Sequence, residues 1–143
     1  GSAVLCLAGR STWEALLLDP ATGETRDFGA QFDRAFPNGL FALEPTWTPD
    51  GRWIVFTSDG RDANRELYRL DINEGTVVRL TSDPAQDVSP SVSPDGRHVA
   101  FFSDRGGEWG IWVIELDGGE PTRLAPLQGT LMDWRKHALQ WVQ

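Results

Sequence analysis

One stretch constrains the fold of this chain more than any other. Pro45-Thr-Trp47-Thr-Pro49-Asp50-Gly51-Arg52-Trp53-Ile54-Val55-Phe56-Thr57-Ser58-Asp59 recurs as Pro90-Ser-Val92-Ser-Pro94-Asp95-Gly96-Arg97-His98-Val99-Ala100-Phe101-Phe102-Ser103-Asp104, a step of 45 residues from Asp50 to Asp95. Repetition at that period points to arrays of four-stranded blades. Within each copy Pro-Asp-Gly is turn chemistry: Pro presets φ, Asp bonds its own backbone, and Gly accepts positive φ. The turn separates a short strand ending at Trp47 or Val92 from a longer apolar one, Ile54 to Phe56 or Val99 to Phe102.

The rest of the chain keeps this beat. Ala3 to Ala8 is an apolar run suited to a buried strand. Leu67 to Leu80 reads strand, turn, strand, with Asp71 and Gly75 in the turn. Trp13 to Phe28 has the same order, with Asp19 and Gly23 placed 52 residues earlier. The seven extra residues fall in the link from Gly29 to Glu44, whose later equivalent, Thr81 to Ser89, is shorter by that amount. Ile111 to Gly119 repeats Leu67 to Gly75, and Thr122-Arg123-Leu124 repeats Val78-Arg79-Leu80 at an offset of 44. Beyond Gly129 the motif restarts in degenerate form. Met132-Asp-Trp134 stands where Trp47 stood, Pro-Asp-Gly is missing, and Leu139 to Val142 resembles the next strand.

With the strands of a blade lettered a to d outwards, the chain reads b-c-d, a-b-c-d, a-b-c-d, a-b. The expected fold class is all-β: about three four-stranded antiparallel β-propeller blades, near residues 3–29, 45–82 and 90–125, with a closing strand segment at 131–142, in one domain over 3–143. Closed propellers take about four to eight blades, and open ones expose strand edges. Two chains forming a six-bladed ring is one solution, a homodimer in which each closing strand completes the partner's first blade. Its seam candidates are Val4, Leu5, Leu7, Met132, Trp134, Leu139 and Trp141. A spare strand at Leu139 to Val142 competes with Val4 to Ala8 in that arrangement. The alternatives are a fragment of a longer propeller, or a second protein supplying the missing blades.

Composition narrows the partners. The formal net charge is −8, which disfavours nucleic acid and anionic membranes. No apolar run is long enough to insert across a bilayer, and Ala3 to Ala8 is too short for a signal-peptide core. Gly1-Ser2 reads as a tag-cleavage scar, which leaves the native N-terminus outside the sequence. The single Cys6 forms no internal disulfide and so neither implies nor excludes an oxidising compartment.

The residues do not assemble a reactive centre by sequence pattern. His98 and His137 are the only histidines, and neither has a ligand-spaced Cys or His beside it, so neither metal nor cofactor is expected. A Gly-x-Ser-x-Gly elbow is missing. Arg105-Gly-Gly107 and Asp117-Gly-Gly119 fall in hairpin turns rather than between a strand and a helix, where a phosphate cradle belongs. Asp59 to Asn64 lacks the spacing and terminal Glu of a calcium loop. Asp50, Asp95, Asp59 and Asp104 recur at equivalent places, as turn-forming residues do. Trp47, Trp53, Trp112 and Trp141 occupy strand positions and read as core.

In a propeller the d-to-a and b-to-c connections emerge on one face, and binding residues gather on such loops. Those loops supply the partner-binding candidates Phe32, Asp33, Arg34, Phe36 and Phe41 in the insertion, with Arg61, Arg105 and Trp109 in the b-to-c turns. Two readings of the insertion stand side by side: a docking loop, or a flap sealing its own blades.

The repeat also resembles a known family. Pro-x-Trp-Ser/Thr-Pro-Asp-Gly-Arg, an apolar strand, Ser-Asp, a Gly/Arg-rich turn, Glu-Leu-Tyr or Ile-Trp, and then Arg79-Leu80-Thr81 or Arg123-Leu124-Ala125 is similar to the TolB-type, WD40-like β-propeller repeat over roughly residues 44–125. Val92 for Trp, Ala125 for Thr, and the lost Pro-Asp-Gly near Arg135 depart from it. The resemblance implies a scaffold: members serve as periplasmic scaffolds, peptidase lids and sensor domains. The expected function is a non-catalytic, non-enzymatic module for protein–protein interaction or self-assembly. The alternatives are part of a larger enzyme, such as a prolyl-oligopeptidase-like peptidase, or a propeller binding a sugar or other small ligand.

Overall fold

The structure, a computed structural model, describes residues 4–8, 14–36, 43–58, 64–127 and 138–142. Among these, three antiparallel sheets follow one another along the chain. The first is β1 (Val4–Ala8), β2 (Glu14–Leu18) and β3 (Thr25–Asp27), in that order. The second runs β4 (Leu43–Trp47), β5 (Trp53–Ser58), β6 (Glu66–Asp71) and β7 (Val77–Arg79). The third runs β8 (Asp87–Val92), β9 (His98–Ser103), β10 (Gly110–Glu115) and β11 (Thr122–Pro126). Strands adjacent in sequence pair throughout, so each sheet is a meander, as expected of blades.

The repeated turn is built identically in the second and third sheets. The Thr48 hydroxyl donates to Asp50 Oδ1, and the Arg52 N–H donates to the same oxygen at 3.0 Å. Trp53 N–H donates to Thr48 Oγ1 at 3.0 Å. Ser93, Asp95, Arg97 and His98 reproduce every one of these bonds. Gly51 and Gly96 close the turns at φ of 71° and 72°, a region that costs other residues free energy.

Alternating side chains glue the sheets face to face. One cluster holds Phe28, Phe36, Ile54, Phe56, Tyr68, Leu70 and Ile72, with Leu17 of the first sheet packed against it. The next holds Val55, Leu67 and Leu80 of the second sheet against Val99, Phe101, Ile114 and Leu116 of the third. Because β5 alternates, Ile54 and Phe56 serve one interface while Val55 serves the other.

Two features differ from expectation. The insertion after β3 contains a helix, α1 (Gly29–Ala35), started by the Asp27 carboxylate accepting from Gly29 N–H at 2.7 Å. It lies between the first two sheets: Gln31 abuts Gly75, and Ala35 and Phe36 share a recess with Tyr68, Val77 and Arg79. Residues 138–142, expected to include a strand, form none. The Trp141 indole instead donates to the Ser91 carbonyl at 3.0 Å, and Leu139 packs on the cluster of Val88 and Phe102. These anchors hold the segment over the third sheet. No helix among the described residues is long and apolar enough to cross a membrane.

Candidate functional site

Three places gather polar chemistry or open surface. At one end of the blades the b-to-c and d-to-a connections enclose two buried carboxylates. Glu66, at the start of β6, accepts from Arg79 Nη2 at 2.7 Å, the Thr81 hydroxyl at 2.6 Å and Asp83 N–H at 2.9 Å. Asp87, at the start of β8, pairs with Arg105 Nη2 at 2.5 Å, and its side chain has no exposed surface. Burial pushes the Asp87 carboxyl up to about 6, against the pull of the Ser103 hydroxyl, the Arg105 guanidinium and the Thr81 hydroxyl. Gln86 ties the neighbouring loops together, donating to Asn64 Oδ1 at 2.6 Å through its side chain and to Asp104 Oδ1 at 2.8 Å through its backbone. These carboxylates organise the loops, and their donors enclose them.

At the opposite end Asp71, also without exposed side-chain surface, accepts from Asn73 N–H at 2.8 Å and Arg52 Nη2 at 2.9 Å. Burial alone raises its proton affinity. The Glu74 N–H, the Arg52 guanidinium and the Asn73 N–H outweigh burial and hold the carboxyl below its ordinary range.

The second place is the inner edge. Both inner strands bulge at equivalent residues, Glu44 and Ser89, which adopt φ of 55° and 54° immediately before Pro45 and Pro90. Glu44 Oε2 accepts from Ser89 N–H at 2.8 Å and from its hydroxyl at 3.0 Å, joining adjacent sheets. Thr46, Ser91, Ala138 and Leu139 complete a groove of about 340 Å³ around them.

The third place is the pair of outer faces of the stack. Among the described residues, β1 is the inner edge of a sheet with three strands, where the other two sheets have four. At the far end, Ala100, Ile111, Leu124, Leu139, Trp141 and Val142 line an apolar recess of about 220 Å³. Leu124 is 57% exposed and Val142 94%.

The candidates read from sequence scatter over this frame. Phe36 is buried and belongs to the core, 4.8 Å from the Tyr68 ring centre. The sealing reading of the insertion fits Phe36. Phe32, Asp33 and Arg34 lie on α1, the latter two exposed. Arg105 is not a free surface cation: Asp87 holds it, and its guanidinium lies 5.2 Å from the Trp112 ring centre. Trp109 is half-buried against Val88 and Phe102 rather than presented for stacking. Val4, Leu5 and Leu7 fall on β1. Phe41, Arg61, Met132 and Trp134 lie outside the described residues. The sequence reading missed Glu66 and Asp87, whose partners lie 13 to 18 residues along the chain, on other strands and loops. A signal was present in the acidic residues that open β6 and β8.

Three meandering sheets stacked through their faces, with a turn repeated bond for bond, define a β-propeller. The model of the TolB beta propeller domain matches residues 36–133, and the chain belongs to that family. It is 34% identical over 123 residues to an uncharacterised protein of Agrobacterium fabrum, covering 86% of this chain and 39% of that protein. It is 35% identical over 141 residues to a TolB homologue of Chlorobium chlorochromatii, covering 89% of this chain and 31% of the relative. The crystal structure of TolB from Acinetobacter baumannii superposes with a TM-score of 0.67 at 26% identity, over 88% of this chain and 30% of that one. The chain thus spans between three-tenths and two-fifths of the length of these proteins. More remote solved propellers, at 22% identity or below, include enzymes and share the fold alone.

Proposed function

We propose that this chain is a non-catalytic propeller scaffold that works by docking protein, a second copy or another chain, onto the inner edge of its first sheet. One observation carries the reading. Among the described residues, the first sheet ends at β1, paired with β2 on one side, in a position where the other two sheets hold a fourth strand. A sheet edge recruits a strand through its backbone N–H and C=O groups. The relatives support it at the level of class: matched proteins of Francisella tularensis are named Tol-Pal system protein TolB.

Photo-cross-linking tests the reading. A cross-linking amino acid placed at position 5 of β1, in cells producing the chain, is expected to give a discrete protein adduct that maps to this edge. Absence of any protein adduct, homotypic or heterotypic, overturns it.

A further inference from the structure

The third sheet lacks a carboxylate that the second sheet keeps, yet it retains donors that would bind one. In the second sheet Glu66 accepts from the Arg79 guanidinium at 2.7 Å and from the Thr81 hydroxyl at 2.6 Å. Arg79 stands opposite Tyr68 across β6 and β7. The residues 44 positions on from Glu66, Tyr68, Arg79 and Thr81 are Gly110, Trp112, Arg123 and Ala125. Trp112 and Arg123 face each other across β10 and β11 in the same register. The repeat has thus dropped the carboxylate and the hydroxyl and kept the arginine.

The remaining donors converge on Gly110. A Cβ placed there would lie 2.9 Å from Arg123 Nε and 3.2 Å from Trp112 Nε1. It would also meet the Ala125 carbonyl, a backbone group, at 2.9 Å. A glutamate does not fit at this position, so the third sheet cannot supply the carboxylate as the second does. The Trp112 N–H is buried and has no acceptor among the described residues. A buried donor in that state costs free energy, which an arriving acceptor recovers. Among the described residues Arg123 makes one loose ion pair, 3.9 Å from Glu108 and beyond hydrogen-bond reach. The nearby Arg105 is held by Asp87.

The rim above these donors is less covered than its equivalent one blade earlier. There Phe36, which follows α1, lies 4.8 Å from the Tyr68 ring centre, and Tyr68 is buried. The later link, Thr81 to Ser89, is seven residues shorter and forms no helix. Trp112 is accordingly half-buried, and the Arg123 side chain, 36% exposed, has room to swing aside.

We propose that Arg123 and the Trp112 N–H form a binding site for a carboxylate at the rim between the second and third sheets, accepting from a ligand the group that Glu66 supplies to Arg79. Arginine grips a carboxylate through two N–H groups, and the indole adds a third donor. Glu108 is the competing anion. The site faces the second sheet and is separate from the β1 edge.

NMR of the indole N–H groups in the intact chain reads the site, with the Trp112 signal identified by its loss in Trp112→Phe. Sodium acetate is expected to move that signal saturably, and sodium chloride at matched ionic strength is not. Arg123→Gln should raise the acetate concentration for half-saturation about tenfold. Glu108→Gln should lower it about two- to fivefold. An acetylated Ala-Glu-Ala amide distinguishes the sources of the carboxylate. Half-saturation below that of acetate assigns the site to an acidic peptide, and an equal or higher value assigns it to a small free acid. A Trp112 signal that stays put, that moves equally in chloride, or that moves in a folded Arg123→Gln variant as in the parent overturns the proposal. The adduct at β1, found or not, bears on none of these outcomes.

Discussion

The guanidinium of Arg69 lies 4.2 Å from the centre of the Trp53 ring, sandwiched on the face of its own sheet that meets the next. From there Nη1 donates to the Leu116 carbonyl at 2.8 Å and to Asp117 Oδ1 at 2.7 Å. One side chain thus stacks on its own blade and bonds to its neighbour's turn.

That geometry separates two contributions. A charge-assisted bond to a backbone carbonyl contributes about 1.5–3 kcal/mol, whereas an ion pair to a solvated carboxylate contributes about 0–1 kcal/mol. Asp117 is 91% exposed. Arg69→Met, which keeps the apolar stem, is expected to lower unfolding free energy by about 2 kcal/mol in urea titration. Asp117→Asn should cost less than about 0.5 kcal/mol. Equal losses from the two substitutions would show that the carbonyl bond is not the main link.

The role of the insertion is tested by contrast. Phe36, Phe56 and Tyr68 pack edge to face and stacked, with centroids 4.8 to 6.4 Å apart. Phe36→Ala should cost about 3–5 kcal/mol, as large aromatic deletions in cores do. Exposed Asp33→Ala and Arg34→Ala should stay within about 0.5 kcal/mol. Thermal or urea unfolding of the three variants checks this. A small effect at Phe36 would return the insertion to the status of a docking loop.

Asp87 imposes an unusual pH dependence. Its folded carboxyl is raised from 3.8 to about 6. A raised folded value stabilises the fold fully below the unfolded value, and that contribution disappears as pH rises through about 6. Asp50, Asp71 and Asp95 are held low, so their contributions run the other way and are lost as acid titrates them. The urea midpoint of the parent minus that of Asp87→Asn should therefore be largest near pH 4 and shrink towards pH 7. A difference that is flat or grows with pH contradicts the assignment.

The duplicated turn predicts duplicated energetics. Thr48→Val and Ser93→Ala each remove a hydroxyl that donates to the turn aspartate and accepts the N–H of Trp53 or His98. Each should cost about 1 kcal/mol, and the double variant should roughly sum the two, since the hydroxyl bonds of the two turns are separate and lie in different sheets, although Pro49 abuts Gly96. Strong non-additivity in chemical denaturation would mean the turns are coupled through the blade interface.

Much of the frame was legible in order. Pro-Asp-Gly at a 45-residue step announced the turns, and the apolar strands after it are where β5 and β9 lie. The helix α1 was not read, although Phe28, Phe32 and Phe36 recur every four residues, a helical spacing. Seven residues of helix opening on Gly29 and followed by Phe36-Pro37 carry too little periodic signal against a loop background. Residues 139–142 looked like a strand because Leu139, Trp141 and Val142 suit one. Strand formation needs a neighbouring edge, and the Trp141 bond to Ser91 holds the segment elsewhere.

What the sequence determined by itself is local and periodic: the turn chemistry, the alternation that gives strands such as β5 and β9 two apolar faces, and the family those motifs belong to. The tertiary structure decided which carboxylates are buried, that Arg105 pairs with Asp87, and that Phe36 faces inward. The reason is distance along the chain. Turn bonds join residues two to five apart, whereas Glu66 with Asp83, Arg69 with Leu116 and Glu44 with Ser89 join residues 17 to 47 apart. Such partners are selected by how the blades stack, and the stack exists only once every sheet has formed.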